Sequence, residues 1–154
     1  MEQTFTLKVN DEKHKVNCDP ETPLLYVLRN QLQLNGPKYG CGKAQCGSCM
    51  VLIDKVAQFS CILPINEVGA VDITTLDGLG DSSGVLHKVQ QAFYEYQVAQ
   101  CGYCTNGLIM ATVALLNQNP TPSEAEIKQA LDSNLCRCGI HSRALKAIHS
   151  LVNP

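Results

Sequence analysis

The sequence predicts an α+β fold in two units: a small sheet domain over residues 1–75 and a four-helix domain over 85–154, joined by a linker at 76–84. Three observations carry this. Apolar residues alternate at period two near the start of the chain and recur at helical spacing beyond residue 85. The stretch between, Thr74 to Gly84, holds three glycines and turn-forming Asp and Thr but little periodicity. Eight of the nine cysteines divide four and four across that stretch. A length of 154 residues suits one large domain or two small ones.

Phe5, Leu7 and Val9 alternate with polar neighbours, which predicts a strand. Asn10-Asp11-Glu12 supplies turn chemistry, and Lys13 to Cys18 reads as the second strand of a hairpin. Thr22-Pro23 opens a helix with a capping residue ahead of proline. Leu24, Leu25, Leu28 and Leu32 form its apolar stripe, a core face, and Gly36-Pro37 ends it. Strands are expected at Cys49–Ile53 and Val56–Ile62, joined at Asp54-Lys55, with a short one at Val71–Ile73.

In the second half, Leu86, Val89, Phe93 and Tyr96 share one helical face, and Leu108 to Leu116 is strongly apolar. Asn119-Pro120-Thr121-Pro122 breaks the chain. Ser123-x-x-Glu126 is a capping box that opens the next helix. Ala144, Leu145, Ile148 and Leu151 mark the last one.

Composition narrows the function. Twelve Lys and Arg against 14 Asp and Glu give a formal charge of -2, which argues against nucleic acid as a partner. Charged residues make up 17%, below the roughly 25% average, so part of the surface is expected to lie under a partner. No run reaches the roughly 18 apolar residues of a membrane span, and Met1 to Val9 shows neither a basic nor an apolar signal region. A cytoplasmic location is therefore expected, with export alongside a partner as the other route. In that reducing compartment nine cysteines point to metal rather than disulfides. Neither a Ser/His/Asp set, nor a P-loop, nor Gly-x-Gly-x-x-Gly is present, so no residue is assigned a catalytic role.

Cys41-x4-Cys46-x2-Cys49 with Cys61 further on has the plant-type [2Fe–2S] spacing. A tight loop wraps three thiolates round the irons while a strand beyond it delivers the fourth. Gly40, Gly42 and Gly47 let backbone approach and aim N–H groups at sulfur. Zinc on Cys46-x2-Cys49 is the competing reading. Cys101-x2-Cys104 and Cys136-x-Cys138 form the second group, each beside the start of a helix. Four thiolates there suit zinc or [2Fe–2S] alike. Cys18 reads as a small apolar residue ending a strand. The histidines are expected on the surface or in packing, with His141 kept as a cluster-side or partner contact. Arg137 is either solvated or a cation near the second group, and Lys38 and Lys43 flank the first loop as candidates to face an electron acceptor.

Gly40-Cys41-Gly42-x3-Cys46-Gly47-x-Cys49, Gln100-Cys101-Gly102-Tyr103-Cys104 and Asn134-Leu135-Cys136-Arg137-Cys138 together resemble the iron–sulfur subunit of the molybdenum hydroxylases, the xanthine dehydrogenase and aldehyde oxidoreductase family. The resemblance spans nearly the whole chain. It implies a β-grasp ferredoxin-like domain with one [2Fe–2S] cluster on Cys41, Cys46, Cys49 and Cys61. It also implies a four-helix domain with a second on Cys101, Cys104, Cys136 and Cys138, nearer a molybdopterin held by a separate large subunit. Gln100 then corresponds to the residue that hydrogen-bonds the pterin, and Cys138 to the cysteine that lies against it. Electrons would pass from molybdenum through both clusters to a cytochrome or a flavin subunit.

Ala44 stands where many relatives have Gly, harmless at negative φ and strained at positive φ. Asn106 replaces the usual Pro, and Cys138-Gly139-Ile140-His141 the common Cys-Thr-Gly-Tyr. These variants are most similar to the nicotinate dehydrogenase and isoquinoline oxidoreductase branch, which implies an N-heteroaromatic substrate such as nicotinate, or an aldehyde. A zinc-binding structural module and a stand-alone two-cluster ferredoxin are the alternatives.

Overall fold

Two tight turns shape the first half of the chain in the computed structural model, which describes residues 1–81 and 83–152. Position 82 of the expected linker and positions 153–154 of the expected helical domain lie outside the described residues. Asn10 (φ 51°) and Asp11 (φ 67°) join β1 (Gln3–Val9) to β2 (Glu12–Cys18), and Asp54 (φ 48°) and Lys55 (φ 70°) join β3 (Met50–Ile53) to β4 (Val56–Phe59). Positive φ at both central residues is the type I′ turn, whose twist matches that of its strands. β5 (Asp72–Thr74) enters between the hairpins, parallel to β1 and antiparallel to β3, for a sheet order β2-β1-β5-β3-β4. A parallel neighbour requires a crossover, which the intervening chain supplies.

That crossover departs from the expected helix. Thr22 makes no capping bond. Pro23 occupies the N-cap, bridged to Pro64, and Leu24 N–H donates to Leu63 O instead. A single α turn, α1 (Leu24–Tyr26), runs into a π turn (Val27–Gln31) that ends before Gly36, with Leu32 N–H reaching back five residues to Val27 O. The wider turn places Leu24, Leu25, Val27 and Leu28 all at 0% exposure. A one-turn helix with no counterpart in the sequence pattern, α2 (Ile65–Val68), sits between Pro64 and Gly69 and buries Ile65 and Val68 in the sheet core. β4 stops at Phe59 rather than Ile62 because the chain turns at Ser60, whose hydroxyl donates to Cys49 O.

The second half is helical: α3 (Lys88–Glu95), α4 (Thr105–Gln118), α5 (Glu124–Leu131) and α6 (His141–Val152). The Ser123/Glu126 capping box forms as expected. α4 is buried along most of its length, since it packs on helices and on the sheet together. Alternation along β3 makes this happen: Val51 joins the α1 core, whereas Met50 and Leu52 join the helical core. Residues 76–79 of the expected linker are anchored as well. Leu76 and Leu79 pack on that helical core, and the Asp77 carboxylate accepts from Gly36 N–H at 3.1 Å.

Candidate cluster-binding centres

Nine free thiols are present, and eight of them sit in four pairs. Cys41 meets Cys46, Cys49 meets Cys61, Cys104 meets Cys136, and Cys101 meets Cys138 with sulfurs 3.8 Å apart. A mononuclear zinc site needs four donors around one point. A [2Fe–2S] cluster spreads its four thiolates over two irons. The donor set fits the diiron group.

The first loop is built to hold sulfur. Cys41 N–H donates to Cys46 Sγ at 3.3 Å, while Lys43 and Gln45 N–H donate to Cys41 Sγ at 3.4 and 3.3 Å. A Cβ on Gly40 would lie 2.6 Å from Cys46 Sγ, so only glycine lets the backbone come this close. Burial raises the Cys41 pKa, but the N–H groups of Gln45 and Lys43 and the neighbouring Cys46 outweigh it and bring the thiol down to about 7. Cys49 and Cys61 lie deeper, packed with Leu25, and burial pushes Cys49 up to about 12. Ala44 has φ 53°, so the strained alternative holds there.

The second centre joins two helix starts. Cys104 is the N-cap of α4, and burial pushes its thiol up to about 12. Cys136 and Cys138 precede α6, separated from it by Gly139 at φ 74°. Burial acts to raise Cys136 as well, yet backbone N–H groups, first that of Ile140, outweigh it and lower the thiol. Gln100 is exposed, and its amide donates to Cys138 O at 3.2 Å, tying the two halves of this centre together. Cys101 is exposed beside it. His141, kept as a candidate contact, hydrogen-bonds Asn134 O through Nε2 at 2.8 Å and so closes the loop that carries Cys136 and Cys138. Arg137 is exposed, as is Lys43; Lys38 Nζ donates to Asn35 O. Cys18 ends β2 in the sheet core, where burial raises its thiol.

The two centres touch. Leu135 N–H donates to Cys46 O at 3.0 Å, and the Tyr103 hydroxyl donates to Tyr39 O. Asn134, 2% exposed, fits its amide between Gly47 and Gly107, where a Cβ on either glycine would collide with it. In the sequence Asn134 stands out only as part of a motif. Its signal is positional, a buried amide two residues before a ligand pair, and its glycine partners are set by the fold.

Comparison with known proteins agrees with this geometry. A 2Fe-2S iron-sulfur cluster binding domain model matches residues 7–68, and a [2Fe-2S] binding domain model matches residues 75–149. The chain is 52% identical over 148 residues to a nicotinate dehydrogenase subunit from Pseudomonas putida, covering 96% of this chain and 94% of that one. It is 45% identical to the alpha subunit of isoquinoline 1-oxidoreductase from Brevundimonas diminuta, over 92% of each. The crystal structure of quinoline 2-oxidoreductase from Pseudomonas putida 86 superposes with a TM-score of 0.91 at 30% identity, covering 99% of this chain and 92% of that one. With two such domains in order and relatives matched end to end, the chain belongs to the family of iron–sulfur subunits of the molybdenum hydroxylases.

Proposed function

We propose that Cys41, Cys46, Cys49 and Cys61 hold one [2Fe–2S] cluster and Cys101, Cys104, Cys136 and Cys138 the other, in units bounded as 1–75 and 85–154 with 76–84 between. The observation that carries this is the gathering of eight thiols into four pairs, two pairs to each centre. Bound there, each cluster supplies a one-electron site, so two electrons from an oxidised substrate leave one at a time. The chain's residues set the conditions. N–H groups favour the Cys41 thiolate and hold Cys46 Sγ in place, burial of Cys49 and Cys61 excludes water, and the exposed Cys101 and Gln100 leave the second centre open toward a partner.

That partner is a large molybdopterin-binding subunit, with Gln100 and Cys138 facing its pterin. The substrate lies on it and is an N-heteroaromatic such as nicotinate, supported by the names of the two relatives. An aldehyde is the second substrate class, and a cytochrome or flavin subunit takes the electrons from the first centre. We place the assembly in the cytoplasm, where thiols stay reduced and free to ligate; no helix among the described residues is long and apolar enough to cross a membrane. Iron, zinc and molybdenum analysis of the complex isolated through this chain tests the reading. About four irons per chain, two for each cluster, with stoichiometric molybdenum is the expected result. Zinc in place of iron overturns it. Cys46→Ser should remove one EPR signal and spare the other.

A further inference from the structure

Asn106 is the second residue of α4, two positions beyond Cys104, and is 1% exposed. Its carboxamide nitrogen donates to Ser48 O at 2.9 Å and to Met50 O at 3.0 Å. Those are the carbonyls on either side of Cys49. One side chain rooted beside a thiol of the second centre therefore grips the backbone on both flanks of a thiol of the first. The group is chemically selected for the task. A neutral amide has two N–H donors on one nitrogen, whereas aspartate, leucine and proline offer none at that position. Its Oδ1 is left buried and unpartnered, so the site keeps a polar group for its donors and tolerates an unmet acceptor. The other two links across the seam differ in kind: Leu135 uses a backbone N–H that any residue but proline would supply, and Tyr103 is exposed.

We propose that Asn106 is a positioning residue that fixes Cys49 against Cys104, so that one-electron exchange between the two centres depends on its carboxamide. This rests on the ligand assignment proposed above. One electron leaves the reduced second centre and enters the oxidised first, with no bond made or broken. Asn106 contributes the hydrogen-bonded connection and the constant separation.

EPR of the fully reduced holo-complex reads that separation, because two paramagnetic centres at fixed separation split each other's lines. Asn106→Leu keeps the bulk and removes the donors; Asn106→Asp keeps the shape and replaces them with a carboxylate facing two carbonyls. Both should narrow or abolish the splitting while each cluster's own signal persists. Val113→Ala, buried on the same helix without a polar link, should lower the unfolding temperature and leave the splitting intact. An unchanged splitting in Asn106→Leu, or equal loss in Val113→Ala, overturns the proposal. If Asn106→Leu fails to assemble, Asn106→Ser, too short to reach either carbonyl, is judged by the same outcomes. A wild-type complex lacking one of the two signals would overturn the ligand assignment and this inference together. Two intact signals with the splitting unmoved would overturn the inference alone.

Discussion

Ala44 holds a conformation that glycine would hold at no steric expense. At φ 53° its Cβ crowds the following carbonyl, at a cost of about 1–2 kcal/mol for a non-glycine residue in the left-handed region. Ala44→Gly gives part of this back through the greater freedom of glycine in the unfolded chain, so a net gain of about 1 kcal/mol is expected. A denaturant midpoint on the holo-protein measures it, and a midpoint that falls would show that the strain is absent. Gly40→Ala tests the opposite limit in the same loop. A Cβ 2.6 Å from Cys46 Sγ must displace that thiol, so the first EPR signal should be lost and the second retained. Spacing alone grouped eight cysteines four and four and gave the first group its plant-type pattern, whereas for the second group the choice between zinc and [2Fe–2S] came from the family resemblance. Asn106 and His141 stood out only as departures from a pattern, since their partners lie 56 and seven residues away and nothing local names them.

Helix ends show where local signals suffice and where they do not. The Ser123-x-x-Glu126 box formed because both partners lie within one turn. Thr22-Pro23 carried an equally plausible signal and failed, because Leu63 O and the Pro23–Pro64 bridge took the backbone groups a capped helix would use. The start of α3 depends on His87, a capping residue with no local signature in the sequence: its ring Nδ1 accepts Val89 N–H at 3.2 Å while Gln90 accepts His87 N–H. Burial, and then Lys88 nearby, lowers its pKa below the ordinary 6.5. Below about 6.5 the unfolded chain therefore binds the proton more readily than the fold does. The cap's stabilisation is complete above that pH and is lost as pH falls toward the lowered folded value, where protonation also removes the acceptor. The protection of the Val89 amide against hydrogen exchange, taken relative to its intrinsic rate at each pH, should fall as pH drops from 7 to 5. His87→Asn, a capping residue that does not titrate in this range, should flatten the profile, and a pH-dependent profile in that variant would assign the effect elsewhere.

At the scale of the molecule, the two halves behave as one body because β3 and α4 share a core and the two cysteine loops share a seam. Period and cysteine grouping divide the chain in two, yet neither could show the seam, which exists only once Gly47 and Gly107 face each other across Asn134. Gly107 decides between two effects of known size. Inside a helix Gly→Ala ordinarily stabilises by about 0.8–1.0 kcal/mol. Here the added Cβ would stand 2.7 Å from the Gly47 carbonyl carbon and 2.5 Å from Asn134 Oδ1. Backbone held by two flanking cysteines cannot move aside as a flexible side chain would. Overpacking of this kind costs about 1–3 kcal/mol, so the collision outweighs the helical gain. Gly107→Ala should therefore lower the unfolding midpoint and disturb both EPR signals together, although it alters no ligand. Ala114→Gly, in the same helix without that contact, should lower the midpoint through propensity and lost burial while both signals stay as they were. If Gly107→Ala instead raised the midpoint and left both spectra unchanged, the seam would be looser than its glycines require, and the two centres would be coupled through Asn106 and Leu135 without close backbone contact at Gly47.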